Sequence, residues 1–171
     1  MPVLDTELKT VPEAYREDVC KLDSASAKKI LYVVEQIDKH VSASSPLFDL
    51  CKIKEPNYIE KCGAAMILHS FYNGIENIIL LITLNKDPAG SSGEIWYREL
   101  LDAAFVKTEN RAAIFRQELK EPLNILLKFR HVVRHSYGFQ LRWEDMKEMV
   151  FCMVAVWENV KEDVNAFIEN N

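Results

Sequence analysis

Glycine and proline are scarce in this chain, at five and six of 171 residues. A multi-stranded β protein spends both on its tight turns, and no stretch alternates apolar and polar residues as a half-buried strand does. Cysteine is sparse as well. Cys20, Cys51, Cys62 and Cys152 form no C-x-x-C pair, which argues against a zinc framework. Scattered through helical pattern, they read as buried thiols of a reducing compartment, so a cytoplasmic location is expected. The N-terminus lacks the basic-then-apolar layout of a secretory signal. The longest apolar run is Ile78 to Ile82, extended by Thr83 and Leu84, and the wider stretch from Met66 is broken by His69, Asn73, Glu76 and Asn77. A membrane span takes about 20 mostly apolar residues, so no transmembrane helix is expected. Positive charge is also lacking overall, because the net charge is −5. A general nucleic-acid binder is basic, so any RNA contact here has to be local or built by assembly.

What is present is helix after helix. The length suits one domain over residues 1–171, with a peripheral N-terminal segment over 1–22 that Pro12 interrupts. Asp23 or Ser24 can cap a helix whose stripe is Ile30, Val34, Ile37 and Val41. That helix is expected to end between Ser42 and Pro46, with a connector over 44–55. Pro56 suits the start of a long helix reaching about Leu84, striped by Ala64, Ala65, Leu68, Phe71, Tyr72, Ile75, Ile78, Ile79 and Ile82. The segment 85–93 breaks the pattern with Asp87-Pro88 and Gly90-Ser-Ser-Gly93. A short helix is expected from Glu94 to about Phe105, and another from near Asn110 to Ser136, kinked or restarted at Pro122. The last starts near Trp143, and its seam is Met146, Val150, Met153, Trp157, Val160, Val164 and Phe167. The fold class is all-α, an up-and-down bundle of four to five main helices.

The segment Lys128-Phe-Arg-His-Val-Val-Arg-His-Ser-Tyr137 stands out. With Arg130 at zero on a helical wheel, His131 falls near 100°, Arg134 near 40°, His135 near 140° and Lys128 near 160°, while Ile125, Phe129, Val132 and Val133 fall between about 200° and 300°. Those four are expected to form the buried face. From Leu123 to Trp143 the cations are Lys128, Arg130, Arg134 and Arg142, without one acidic residue. A one-sign cluster invites a polyanion, although basic residues at a helix C-terminus also complement the helix dipole. The residue types suit metal-free RNA cleavage, in which His135 handles a proton near neutral pH and Arg130 is a fixed cation for the phosphate. His131 and His135 have a metal-compatible i,i+4 spacing, but no third ligand is evident, so neither metal nor cofactor is expected. Gly74 in mid-helix suggests close helix approach. Glu76, in apolar surroundings, suggests a buried partner for Arg130 or Arg134. His40 and His69 read as ordinary surface or core histidines.

Arg130-His131-Val-Val-Arg-His135-Ser-Tyr137 resembles the R-x4-H-x-Y signature of HepT-like proteins of the HEPN superfamily, in which a polar residue follows the arginine. Phe71-Tyr-Asn-Gly-Ile-Glu76 and Ser92-Gly-Glu-Ile-Trp-Tyr-Arg-Glu-Leu-Leu101 also resemble stretches of that family, so the likeness covers roughly residues 60–165. The resemblance implies a helical homodimer whose two motifs meet in a cleft. It further implies a metal-independent ribonuclease acting as the toxin of a toxin–antitoxin pair, with a minimal nucleotidyltransferase (MNT) antitoxin as partner. Arg130 and His135 would be catalytic, with His131 in support. Lys128, Arg134 and Arg142 add RNA-binding charge, and Tyr137 would be the residue the antitoxin modifies with AMP. The alternative is a non-catalytic HEPN module that binds RNA, a nucleotide or the nucleotidyltransferase through the same surface.

Overall fold

A computed structural model describes residues 22–86, 96–135 and 141–170 of the chain. Among them are five α-helices and no strand: α1 (Ser24–Ile53), α2 (Tyr58–Lys86), α3 (Trp96–Ala104), α4 (Lys120–His135) and α5 (Lys147–Asn170). Short 3-10 turns at Gln117–Leu119 and Trp143–Asp145 lead into α4 and α5. Of the expectations above, the segment before Leu22, the turn chemistry between 87 and 95, and Tyr137 lie outside the described residues.

α2 is the centre of the bundle and packs against each of the other four helices. It is long and apolar enough to cross a membrane by length and composition. Its stripe from Ala64 to Ile82 is buried against those neighbours, which accounts for its apolar content. The expected stripes of α1 and α5 are buried in full. Phe71 meets Trp157 edge to face at 6.2 Å, and the Trp157 indole donates to Asp38 Oδ1 at 2.6 Å, tying α5 to α1. Gly74 faces Ile37 of α1. A Cβ there would lie 2.7 Å from Ile37 Cγ1, so only glycine allows this approach without a shift.

The caps follow from side-chain chemistry. Asp23 Oδ1 accepts from the Ala25 and Ser26 amides at 3.0 and 2.9 Å, and Asn85 at the far end of α2 donates to the other Asp23 oxygen. These bonds, the Ser26 hydroxyl foremost, hold the Asp23 carboxyl down at about 2. Asn57 and Glu60 form a reciprocal capping box at the start of α2, at 3.0 and 2.7 Å.

Three expectations need correction. α1 does not stop at Ser42–Pro46, and 44–55 is not a connector, because the helix runs through Pro46 to Ile53. An interior proline costs about 3 kcal/mol. Beyond it, however, Phe48 and Cys51 continue the buried stripe of Val41 and Ser44, and that packing prevails. Residues 110–116 are not helical. Arg111 is buried there, and its guanidinium donates to the Val106, Ala112 and Ala103 carbonyls, while the Ile114 and Phe115 amides both reach Ala104 O. At Pro122 the kink is dropped and the restart stands, since the proline sits in the first turn of α4, where its missing N–H is no loss.

The fourth correction concerns which side of α4 faces inward. Its buried residues are Leu123, Leu126, Phe129 and Arg130. Ile125 and Val132, expected inside, are 42% and 46% exposed. The inward face thus contains the arginine and omits two aliphatics.

Candidate active site

Arg130 can be buried because α2 supplies its partners. Its Nη2 lies 2.9 Å from Glu76 Oε2, and its Nε donates to Asn73 Oδ1. Asn73 and Glu76 are i,i+3 neighbours on one face of α2, so the guanidinium is held at two points. Both side chains of the ion pair are nearly buried, at 10% and 12% exposed. Glu76 Oε1 is buried with no hydrogen-bond partner. Burial pushes the Glu76 carboxyl above its ordinary range, and the charges of Arg130 and then Arg134 pull part of the way back. One turn earlier, burial holds the Tyr72 hydroxyl protonated across the physiological range.

His69 lies on the same face of α2 as Asn73 and Glu76. Its Nδ1 is buried without a partner. Burial, then Arg130 and Arg134, push its pKa down, so its imidazole is neutral near pH 7. The ordinary reading of this histidine from sequence missed its place beside two arginines, and Asn73 was missed altogether. The only sequence signal for either was the heptad-like spacing 69, 73, 76 on one helix face.

The other motif residues look outward. His131 and His135 are exposed and their rings lie 4.4 Å apart, tilted by 46°. Lys128 and Arg134 are exposed on the same helix. Around the helical turn, the groups therefore run from Arg130 and Arg134, through His131 and His135, to Lys128. Arg142 is exposed and makes a two-point ion pair with Asp145, at 2.9 and 2.7 Å, which raises the pKa of the arginine and lowers that of the carboxyl. Arg130 and Arg142, which sequence grouped among unopposed cations, thus have carboxylate partners from outside the segment. Among the described residues, no three His, Cys, Asp or Glu side chains gather as a metal ion would require.

The family model described as HepT-like protein matches residues 63–171. That is well over half of the chain and includes α2 from its second turn, α3, α4 and α5. The chain belongs to the HepT-like family. Each residue of the site, from His69 to Asp145, lies within the HepT-like match, and α1 lies before it. No curated protein and no solved structure matches the chain.

Proposed function

We propose that this HepT-like protein is a metal-independent endoribonuclease, the toxin of a toxin–antitoxin pair. The observation that carries the reading is the arrangement on α4. An arginine held by Glu76 and Asn73 is followed on the same helix, at the R-x4-H spacing, by exposed His135, whose ring lies beside that of His131. The reaction class follows from those groups. His135 takes the 2′-hydroxyl proton, the 2′-oxygen attacks phosphorus, and the bond from phosphorus to the 5′-oxygen breaks as that oxygen takes a proton. A 2′,3′-cyclic phosphate and a 5′-hydroxyl result. Arg130 supplies a permanent positive charge for the phosphate, fixed in place by its clamp. His131 and Arg134 support the same phosphate path.

A homodimer that brings two copies of α4 together would double the local positive field, which suits a chain of net charge −5 that has to hold RNA. In the proposed pair an MNT-type nucleotidyltransferase is the antitoxin, and Tyr137 is its AMP acceptor. The test is induction in cells of the wild type and of His135→Ala, with growth and total RNA followed together. The reading expects growth arrest and RNA fragmentation from the wild type only. Equal growth with intact RNA, alongside tight binding of a nucleotidyltransferase, would favour the non-catalytic module instead.

A further inference from the structure

The two aliphatics that α4 leaves outside, Ile125 and Val132, do not lie on a flat surface. They form one wall of a hollow of about 290 Å³, with Leu141 and Met149 opposite them. That size is at the lower limit of small-molecule sites, roughly 300–1,000 Å³, and suits one planar ring system rather than a larger ligand. Its charged lining residues are three, and all of them are exposed. Lys128 is on the α4 lip, and the Arg142–Asp145 pair is on the other.

The hollow adjoins the proposed cleavage site. Lys128, Val132 and His135 are spaced i, i+4, i+7, so they share one face of α4, with His131 one turn after Lys128. We infer that the hollow is a nucleobase subsite, seating the base of a nucleotide next to the 2′-hydroxyl on which His135 acts. This rests on the reading of the chain as an RNA-cleaving protein and names how it would hold its substrate.

The chemistry selects a base over the other small groups that a cationic rim could take. A free phosphate would find Lys128 alone, because the Arg142 charge on the far lip is already neutralised by Asp145. The edge of a base carries donors and acceptors together, and the Arg142–Asp145 pair presents both. Its faces are apolar and match Ile125, Val132 and Met149, while Lys128 meets the nucleotide's own phosphate. Single-stranded RNA is held in this way generally, by cations along the backbone and apolar or aromatic contacts on splayed bases.

The test uses the full chain as His135→Ala, which lacks the proposed base, and a fluorescein-labelled ten-nucleotide single-stranded RNA at fixed salt. Binding is followed by fluorescence anisotropy and molar mass by light scattering. Adding Val132→Asp, or separately Lys128→Glu, is expected to weaken binding about ten-fold, with helical content and molar mass unchanged. A 4-thiouridine in the RNA is expected to cross-link within residues 141–149. Unchanged affinity in both variants, or cross-links confined to other segments, overturns the subsite. A change in molar mass on Val132→Asp assigns the hollow to a second copy of the chain and overturns it too. Cleavage is read separately with the wild type, so a protein that never cuts RNA yet loses binding in these variants keeps the subsite and loses the nuclease.

Discussion

Glu76 is the residue on which the site most depends for its shape. A buried pair attracts strongly but has also given up its hydration, so removing one member leaves a stranded charge. Glu76→Ala is therefore expected to cost roughly 3 kcal/mol or more, lowering the melting temperature by about 6 to 12 °C in thermal circular dichroism. His135→Ala, on the exposed side of α4, is expected to leave it unchanged within about 2 °C. A melting temperature for Glu76→Ala equal to the wild type's would mean that the clamp does not hold Arg130 in solution. The glutamate was legible in sequence as a carboxylate among apolar neighbours. Asn73 and His69 were not, because nothing local distinguishes a helix-surface Asn or His from one that faces a guanidinium 57 residues further on.

His69 gives this residue row a pH dependence. Its folded-state pKa is depressed below the ordinary imidazole value of 6.5. As pH falls below 6.5 the unfolded chain takes up this proton before the folded chain does, so stability is lost on acidification. The melting temperature of the wild type is expected to fall more steeply between pH 7.5 and 5.5 than that of His69→Gln. Parallel curves would mean that His69 is neither buried nor beside the two arginines in solution.

At the scale of the helix, periodicity was a sound guide and punctuation was not. The stripes of α1, α2 and α5 were readable because burial repeats at the helical period whatever the partner is. The stop at Pro46 was misread because a proline's local cost was weighed without the packing of Phe48 and Cys51 beyond it. Since Pro46 is exposed, Pro46→Ala gives up no packing. It restores an amide for the carbonyl four residues back. It is expected to stabilise the protein by about 1–2 kcal/mol in urea denaturation, after allowing for the looser unfolded chain. A loss of stability would show that the helix needs the proline. Gly74→Ala is expected to act in the opposite direction. A gain of about 1 kcal/mol in helix propensity is outweighed by the clash with Ile37, and overpacking of this kind costs about 1–3 kcal/mol. A double-mutant cycle with Ile37→Ala isolates that clash, and additive effects would place the two residues apart. The inward face of α4 escaped the sequence for a related reason. Hydrophobicity alone points Ile125 and Val132 inward, and only a carboxylate on another helix makes burying Arg130 favourable instead.

For the whole molecule, the all-α bundle was plain from what the chain lacks and from its repeating stripes. The proposed RNA contact was not, because an acidic chain with a short basic stretch is compatible with either a dipole-complementing helix end or a binding surface. Family membership and the clamp on Arg130 favour the second. A homodimer whose two α4 motifs face one open cleft is expected to give twice the 19.8 kDa chain mass in light scattering at micromolar concentration, and a monomer there would leave the proposed cleft without its second half. The most direct test of the central claim is cleavage by purified protein. Wild type and His135→Ala are incubated with single-stranded RNA in excess chelator, and the fragment ends are analysed. The proposed chemistry predicts fragments with 2′,3′-cyclic phosphate ends from the wild type and none from the variant. Intact RNA with both proteins, or equal cutting by both, would contradict it.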